Sequence, residues 1–357
     1  TTTQVAGLTT TQIANMQSDD VAALNTAALR GLNTTQLAAL NSDQIAALST
    51  AQVASLTTAQ INGLNSDDLN ALSSDQVKAL SSTQVACIGT TQLSKMTTDD
   101  VEAISTAAVR ALSSDQIKAM TTDQIVALTT DQAKAMTSTQ MAGLTTTQLN
   151  KMESDDLRAL STAAIRALNT DQLKNLTTDQ LAAMTTAQIA AMATVPTNQL
   201  GGLTTDAIKA LTTDQARALT SAQVGGFSTT QVAAFDTDDL SALNTAALRA
   251  LNTTQLAALN SDQIGALLTN QVASLTTDQI DGLNSDDLNA LNTDQVKALT
   301  SAQVAAIGTT QLSKMTTDDI EAISTAAVRA LNSDQVKALT TDQVVALSTD
   351  QAKALTT

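Results

Sequence analysis

With 34 carboxylates and no histidine, this 357-residue chain has a narrow choice of chemistry. The side chains best spaced for it are seven adjacent aspartate pairs: Asp19/Asp20, Asp67/Asp68, Asp99/Asp100, Asp155/Asp156, Asp238/Asp239, Asp286/Asp287 and Asp318/Asp319. A row of such pairs is a possible calcium array. Calcium takes about six to eight oxygens, however, and the acidic spacing of an EF-hand loop is missing. Ion pairing has more support in the sequence. Ten residues after each pair stands a cation: Arg30, Lys78, Arg110, Arg166, Arg249, Lys297 and Arg329. In the five arginine cases a glutamine is also exchanged for alanine, at Ala28, Ala108, Ala164, Ala247 and Ala327. This coupling predicts the contacts Asp20–Arg30, Asp68–Lys78, Asp100–Arg110, Asp156–Arg166, Asp239–Arg249, Asp287–Lys297 and Asp319–Arg329, although exposed pairs add little stability.

Other chemistries find no residues to carry them. Without histidine there is no histidine-based triad or zinc site. No phosphate-binding loop or dinucleotide fingerprint is present. The single cysteine, Cys87, stands where alanine is usual and reads as a small buried thiol. The expectation is a non-enzymatic protein with no catalytic, cofactor-binding or metal residues and no cofactor, calcium being the one alternative.

These aspartates belong to a repeat. Cut every eight residues from Thr1, residues 1–192 give 24 octads and residues 204–355 give 19 more. An eleven-residue unit, ATVPTNQLGGL, fills 193–203. The consensus is T-T-D-Q-φ-x-A-L, where φ is Val, Ile or Leu; position 2 is always Ser or Thr, and position 4 is usually Gln. A longer duplication lies over the octads. The stretch from Asp20 nearly recurs from Asp239, an offset of 219 residues.

The octad selects among folds. In one continuous helix eight residues turn through about 800°, so the apolar pair at positions 5 and 8 would drift about 80° per repeat. In a strand, positions 5 and 8 would face opposite sides, and the Ala-Leu ending favours helix; a β-solenoid is the alternative fold. Short helices restarted in every octad place positions 5 and 8 on one face. Ser or Thr at position 2 supplies a helix N-cap, and position 1 is an alternative cap because Thr-x-x-Gln is a capping box. Asn and Gly at position 1, as at Gly89 and Gly308, would suit a left-handed turn. A helix of about six residues is not stable alone. The expected fold is therefore all-α: a tightly wound α-solenoid with one short helix per octad. It would run through 1–192 and 204–357 as one superhelix, with a local bulge at Pro196, Gly201 and Gly202.

Gln at position 4 is too regular for a merely solvated side chain. Its amide is expected to bond backbone groups left open at the helix breaks, a ligand-binding ladder being the alternative. Paired threonines also suggest an ice-binding array, but capping already accounts for position 2.

Composition limits the partners. The net charge is −16, so no positive surface exists to displace counterions from nucleic acid. No apolar run approaches the roughly 20 residues of a membrane span. Nearly all the apolar residues are aliphatic or Ala, with two phenylalanines, Phe227 and Phe235.

Octads such as TTDQLAAM, STAQVASL and NSDQIAAL resemble the Ala/Thr/Leu/Gln-rich repeat tracts of very large bacterial secreted or surface proteins. The resemblance implies an extracellular or cell-surface fibre or adhesin stalk and transfers no functional residues. The sequence-level expectation is a rod, stalk or filament whose partner is itself, end to end or laterally. Neither the first nor the last octad is a polar cap, which suggests an excerpt of a longer or polymeric fibre. A solenoid protein-binding module and a calcium- or ice-binding repeat are the alternatives.

Overall fold

The computed structural model describes residues 2–192 and 199–355. Pro196 lies outside the described residues. Among those described there are 43 short α-helices, a 3₁₀ turn at Gln199–Gly202 and no strand, which removes the β-solenoid alternative. The chain divides at Leu176/Thr177 into two compact units.

Each octad builds the same device. Position 1 is extended and caps the helix, as at Thr137 (φ −88°, ψ 162°), whose hydroxyl accepts from the Gln140 N–H. Positions 2–5, 2–6 or 2–7 form the helix, and position 8 is the last residue before the break. Where the helix runs to position 7, position 8 is extended too, as at Leu144 (φ −60°, ψ 138°). The capping-box reading thus prevails: the cap is position 1, and the invariant Ser or Thr is the first helical residue. The expected left-handed turn is absent from the position-1 glycines. Gly89 (φ −66°) and Gly308 (φ −62°) are ordinary extended residues.

Position 5 is fully buried through the interior (Ile45, Ile61, Ile125, Leu157 and Leu240 all at 0% exposure). Position 8 is buried beside it. Together they make a continuous aliphatic core in each unit. Position 7 is small for a local reason. A Cβ on Gly143 would come within 2.8 Å of the Ser114 Cβ, and one on Gly63 within 3.3 Å of the Thr34 Cβ. Position 7 of one octad therefore rests on position 2 of the octad three earlier, and alanine is the usual residue there.

Helices pack on those three octads away, such as Ser82–Ala86 on Thr106–Ala111. Polar contacts reach further. The Ser138 hydroxyl donates to Ala163 O, 25 residues on, and Gln140 donates to carbonyls 28 and 31 residues back. One superhelical turn therefore takes between three and four octads.

The eleven-residue unit counts as one repeat. Gln199 and Leu200 are buried in the places of positions 4 and 5, and Leu203 in that of position 8. Gln215 reaches back across it to Leu181 and Met184 by 34 and 31 residues, three more than elsewhere. Gly201 and Gly202 close its 3₁₀ turn. Nearby, Phe227 and Phe235 meet edge to face at 5.6 Å in consecutive position-8 sites.

This packing sets contrasting sensitivities. Ile125→Ala, at a position with no exposure, should lower stability by about 2–5 kcal/mol. Val345→Ala, 79% exposed at position 6, should change it by less than about 0.5 kcal/mol. Denaturant melts of the two variants check the difference.

Candidate functional site

The most elaborate polar arrangement in the molecule is the row of position-4 glutamines. Each break between helices exposes two backbone groups with no helical partner: the N–H of position 1 and the C=O of position 8. One glutamine amide serves both kinds. Gln140 Oε1 accepts the Thr137 N–H at 2.7 Å, closing its own capping box. Its Nε2 donates to Val109 O at 2.7 Å and Leu112 O at 2.8 Å, positions 5 and 8 of the octad four earlier. The same bonds recur at Gln60 with Leu29 and Leu32, at Gln172 with Met141 and Leu144, and at Gln303 with Val272 and Leu275. The glutamines are buried because both ends of the amide are used.

The aspartate pairs interrupt this row. The second aspartate of each pair takes position 4, and the first faces solvent at position 3. Asp68 keeps the cap, accepting the Asn65 N–H at 3.1 Å. Asp100 accepts the Thr97 N–H at 3.3 Å and its hydroxyl at 2.6 Å, and Asp319 repeats this with Thr316. Asp287 accepts the Asn284 N–H at 3.2 Å. Asp156 and Asp239 instead sit beside the hydroxyls of Thr130 and Thr213, position-2 residues of the octad three earlier, which oppose the rise that burial causes in their carboxyls. Asp20, in the first superhelical turn, is exposed. A carboxylate only accepts, so none of these can make the reach to an earlier carbonyl that glutamine makes.

Six of the seven predicted ion pairs do not form. The ion pairs among the described residues include Arg217–Asp214, Lys337–Asp334 and Lys353–Asp350, all exposed neighbours within one helix. Asp20–Arg30, Asp68–Lys78, Asp100–Arg110, Asp239–Arg249, Asp287–Lys297 and Asp319–Arg329 are not joined. The physical reason is that position 4 points into the core and position 6 points out. The Arg166 side chain likewise leaves from position 6, while Asp156 is buried at position 4.

No three carboxylate or thiol side chains converge among the described residues in a way that would hold a metal ion. The surface carries open grooves between successive turns. Two of them are related by the 219-residue duplication: one is lined by Asp75, Lys78, Asp99 and Glu102, the other by Lys297, Asp318 and Glu321. Cys87 is half-buried, with no disulfide. No helix among the described residues is long and apolar enough to cross a membrane.

A family model for the ALTTAQ repeat matches residues 13–50, 63–98, 93–130, 149–186, 196–229, 232–269, 282–317 and 312–349, most of the chain. The chain belongs to the ALTTAQ repeat family. Those six letters correspond to positions 7 and 8 of one octad and positions 1–4 of the next. They span the helix break and the glutamine that satisfies it, so the ALTTAQ signature is the sequence of the ladder itself. No curated protein matches the chain. Among solved structures, APUM23-GGAAUUGACGG is similar over 97% of this chain and 74% of that one, at 12% identity. Its TM-score of 0.18 is too low for the likeness to bear on fold or function.

Burial raises the carboxyls of Asp68, Asp100, Asp156, Asp239, Asp287 and Asp319 above the usual aspartate range. Their hydrogen bonds oppose the rise, and the adjacent aspartates add to it. The folded chain therefore holds these protons more tightly than the unfolded chain. The resulting stabilisation is complete below the unfolded value of about 3.9, and it is lost as pH rises through the folded values. Acidification from pH 7 towards about 4.5 should raise the unfolding midpoint. Replacing all six with Asn should flatten that dependence, as thermal melts across pH would show.

Proposed function

We propose that this ALTTAQ repeat chain is a non-enzymatic structural element, a length of extracellular rod, stalk or filament of a bacterial cell that associates with further copies of itself. The ladder carries this reading. From Gln36 to Gln172 in the first unit and from Gln215 to Gln351 in the second, a position-4 glutamine donates to carbonyls of the octad four earlier, using one surface of each turn to receive the next. Such a scheme adds length without changing chemistry. The outward positions 3 and 6 carry short polar or charged residues and no aromatic anchors of the kind that dominate binding interfaces. The placement outside a cell rests on the resemblance of the octads to bacterial surface repeat tracts.

The support for self-association is the repeat itself: the contact between turns is made by position 4 of one octad and positions 5 and 8 of another, so the partner whose chemistry matches a turn is a further turn of the same repeat. A head-to-tail contact of this type propagates into a filament unless it closes a ring. The −16 charge opposes contact until salt screens it, over a length of about 8 Å at 0.15 M.

Light scattering and negative-stain images of the 357-residue chain across a salt series test the proposal. Particles should lengthen in multiples of one chain, or grow into fibres, as salt increases. A strictly monomeric particle at high concentration and high salt would overturn the self-association.

A further inference from the structure

We propose that the paired aspartate and alanine octads are joints, places where one turn of the solenoid opens from the preceding turn before the fully laddered stretches do. The argument starts from the carbonyl of position 8. Within its own segment that oxygen has no helical partner, and in a regular repeat the glutamine four octads later takes it. Where position 4 is Asp or Ala, that donor is lost. Asp100 leaves the carbonyl of Leu72 without a protein hydrogen bond, and Ala108 leaves that of Leu80. The duplicate does the same. Asp319 and Ala327 leave the carbonyls of Leu291 and Leu299.

Two successive rungs are therefore missing at the same place in each copy of the duplication, and intact rungs bound them on both sides. A further pair, Asp156 and Ala164, likewise leaves the carbonyls of Leu128 and Met136. Before the first gap Gln92 bonds Asn62 and Leu64, and after it Gln116 bonds Val85 and Ile88. In the second unit Gln311 and Gln335 are the corresponding boundaries. The interruption is one-sided. Gln132 and Gln140 still tie octads 97–104 and 105–112 to the turn that follows. The separation would thus fall between residues 65–80 and 97–112, and between 284–299 and 316–331.

Single gaps are better supported. Asp68 leaves the Leu40 carbonyl open, but the rungs of Gln60 and Gln76 stand one octad away on either side. Asp287 leaves the Leu259 carbonyl open in the same way, between the rungs of Gln279 and Gln295. The Ala247 gap is repaired, because the Asn244 side-chain amide donates to Leu219 O at 3.0 Å. The unrepaired double gaps at 97–112 and 316–331 stand at the same place in both copies of the duplication.

Hydrogen exchange on the full chain tests the proposal. Amides in 97–112, 153–168 and 316–331 should exchange at least about tenfold faster than those in 41–64, which is laddered on both sides by Gln44, Gln52 and Gln60 and by Gln76, Gln84 and Gln92. Asp100→Gln combined with Ala108→Gln restores two rungs in a pocket that fits glutamine in most octads. It should raise protection in 97–112 and leave 316–331 unchanged as an internal control. A second variant, Gln124→Ala with Gln132→Ala, should create a new fast-exchanging joint at 121–136. Equal protection along the wild-type chain would overturn the proposal. So would a new double gap at 121–136 that exchanges no faster than before.

Discussion

A helix that stops every eight residues leaves a peptide group exposed to the core at every stop, and this fold depends on one side chain that satisfies it. The position-4 glutamine accepts the N–H at its own break and donates to the C=O at a break four octads earlier. No other common side chain has both an acceptor and a two-proton donor at this reach. Helices of four to six residues are unstable alone. They persist here because each break is tied to the neighbouring turn, while positions 5 and 8 are buried by the same stacking. Local capping and long-range packing are thus one interaction seen from two ends of an amide.

Much of this was legible in the sequence. Residues 5 and 8 of each octad demanded one apolar face, and the eight-residue period ruled out a long helix. The regularity of glutamine implied backbone bonding at the breaks. The details that escaped were directional. Thr-x-x-Gln and a position-2 cap predict breaks in the same place, so sequence favoured the residue that never varies. The structure shows that Ser or Thr at position 2 is the first helical residue, with position 7 of a later octad resting on it. The number of octads per turn depends on how far Gln140 reaches, 28 and 31 residues back, which no local pattern encodes.

The aspartate–arginine covariation illustrates the same limit. Coupled exchanges at Asp100, Ala108 and Arg110 suggested an ion pair, but Asp100 is buried at 4% exposure and Arg110 faces solvent. What the coupled positions share is the loss of the ladder donor: aspartate retains the acceptor half of glutamine and alanine retains neither half. A signal for this was present in the sequence, because both replacements fall on position 4 and nowhere else in the octad. Reading it required knowing that position 4 acts on a distant turn. The outward cation has no contact in the structure that explains why it accompanies the exchange.

The dual role of glutamine is tested most directly by splitting it. Glutamate keeps the acceptor that closes the capping box and removes the Nε2 donor. Gln140 uses both halves, whereas Gln12, in the first turn, closes the Thr9 box at 2.8 Å with no earlier turn to reach. The account predicts that Gln140→Glu lowers stability by at least about 1–3 kcal/mol, the loss expected on orphaning a buried acceptor, and that Gln12→Glu leaves it nearly unchanged. Equal effects of the two substitutions in denaturant melts would show that glutamine acts only as a local cap and that the ladder does not hold the turns together.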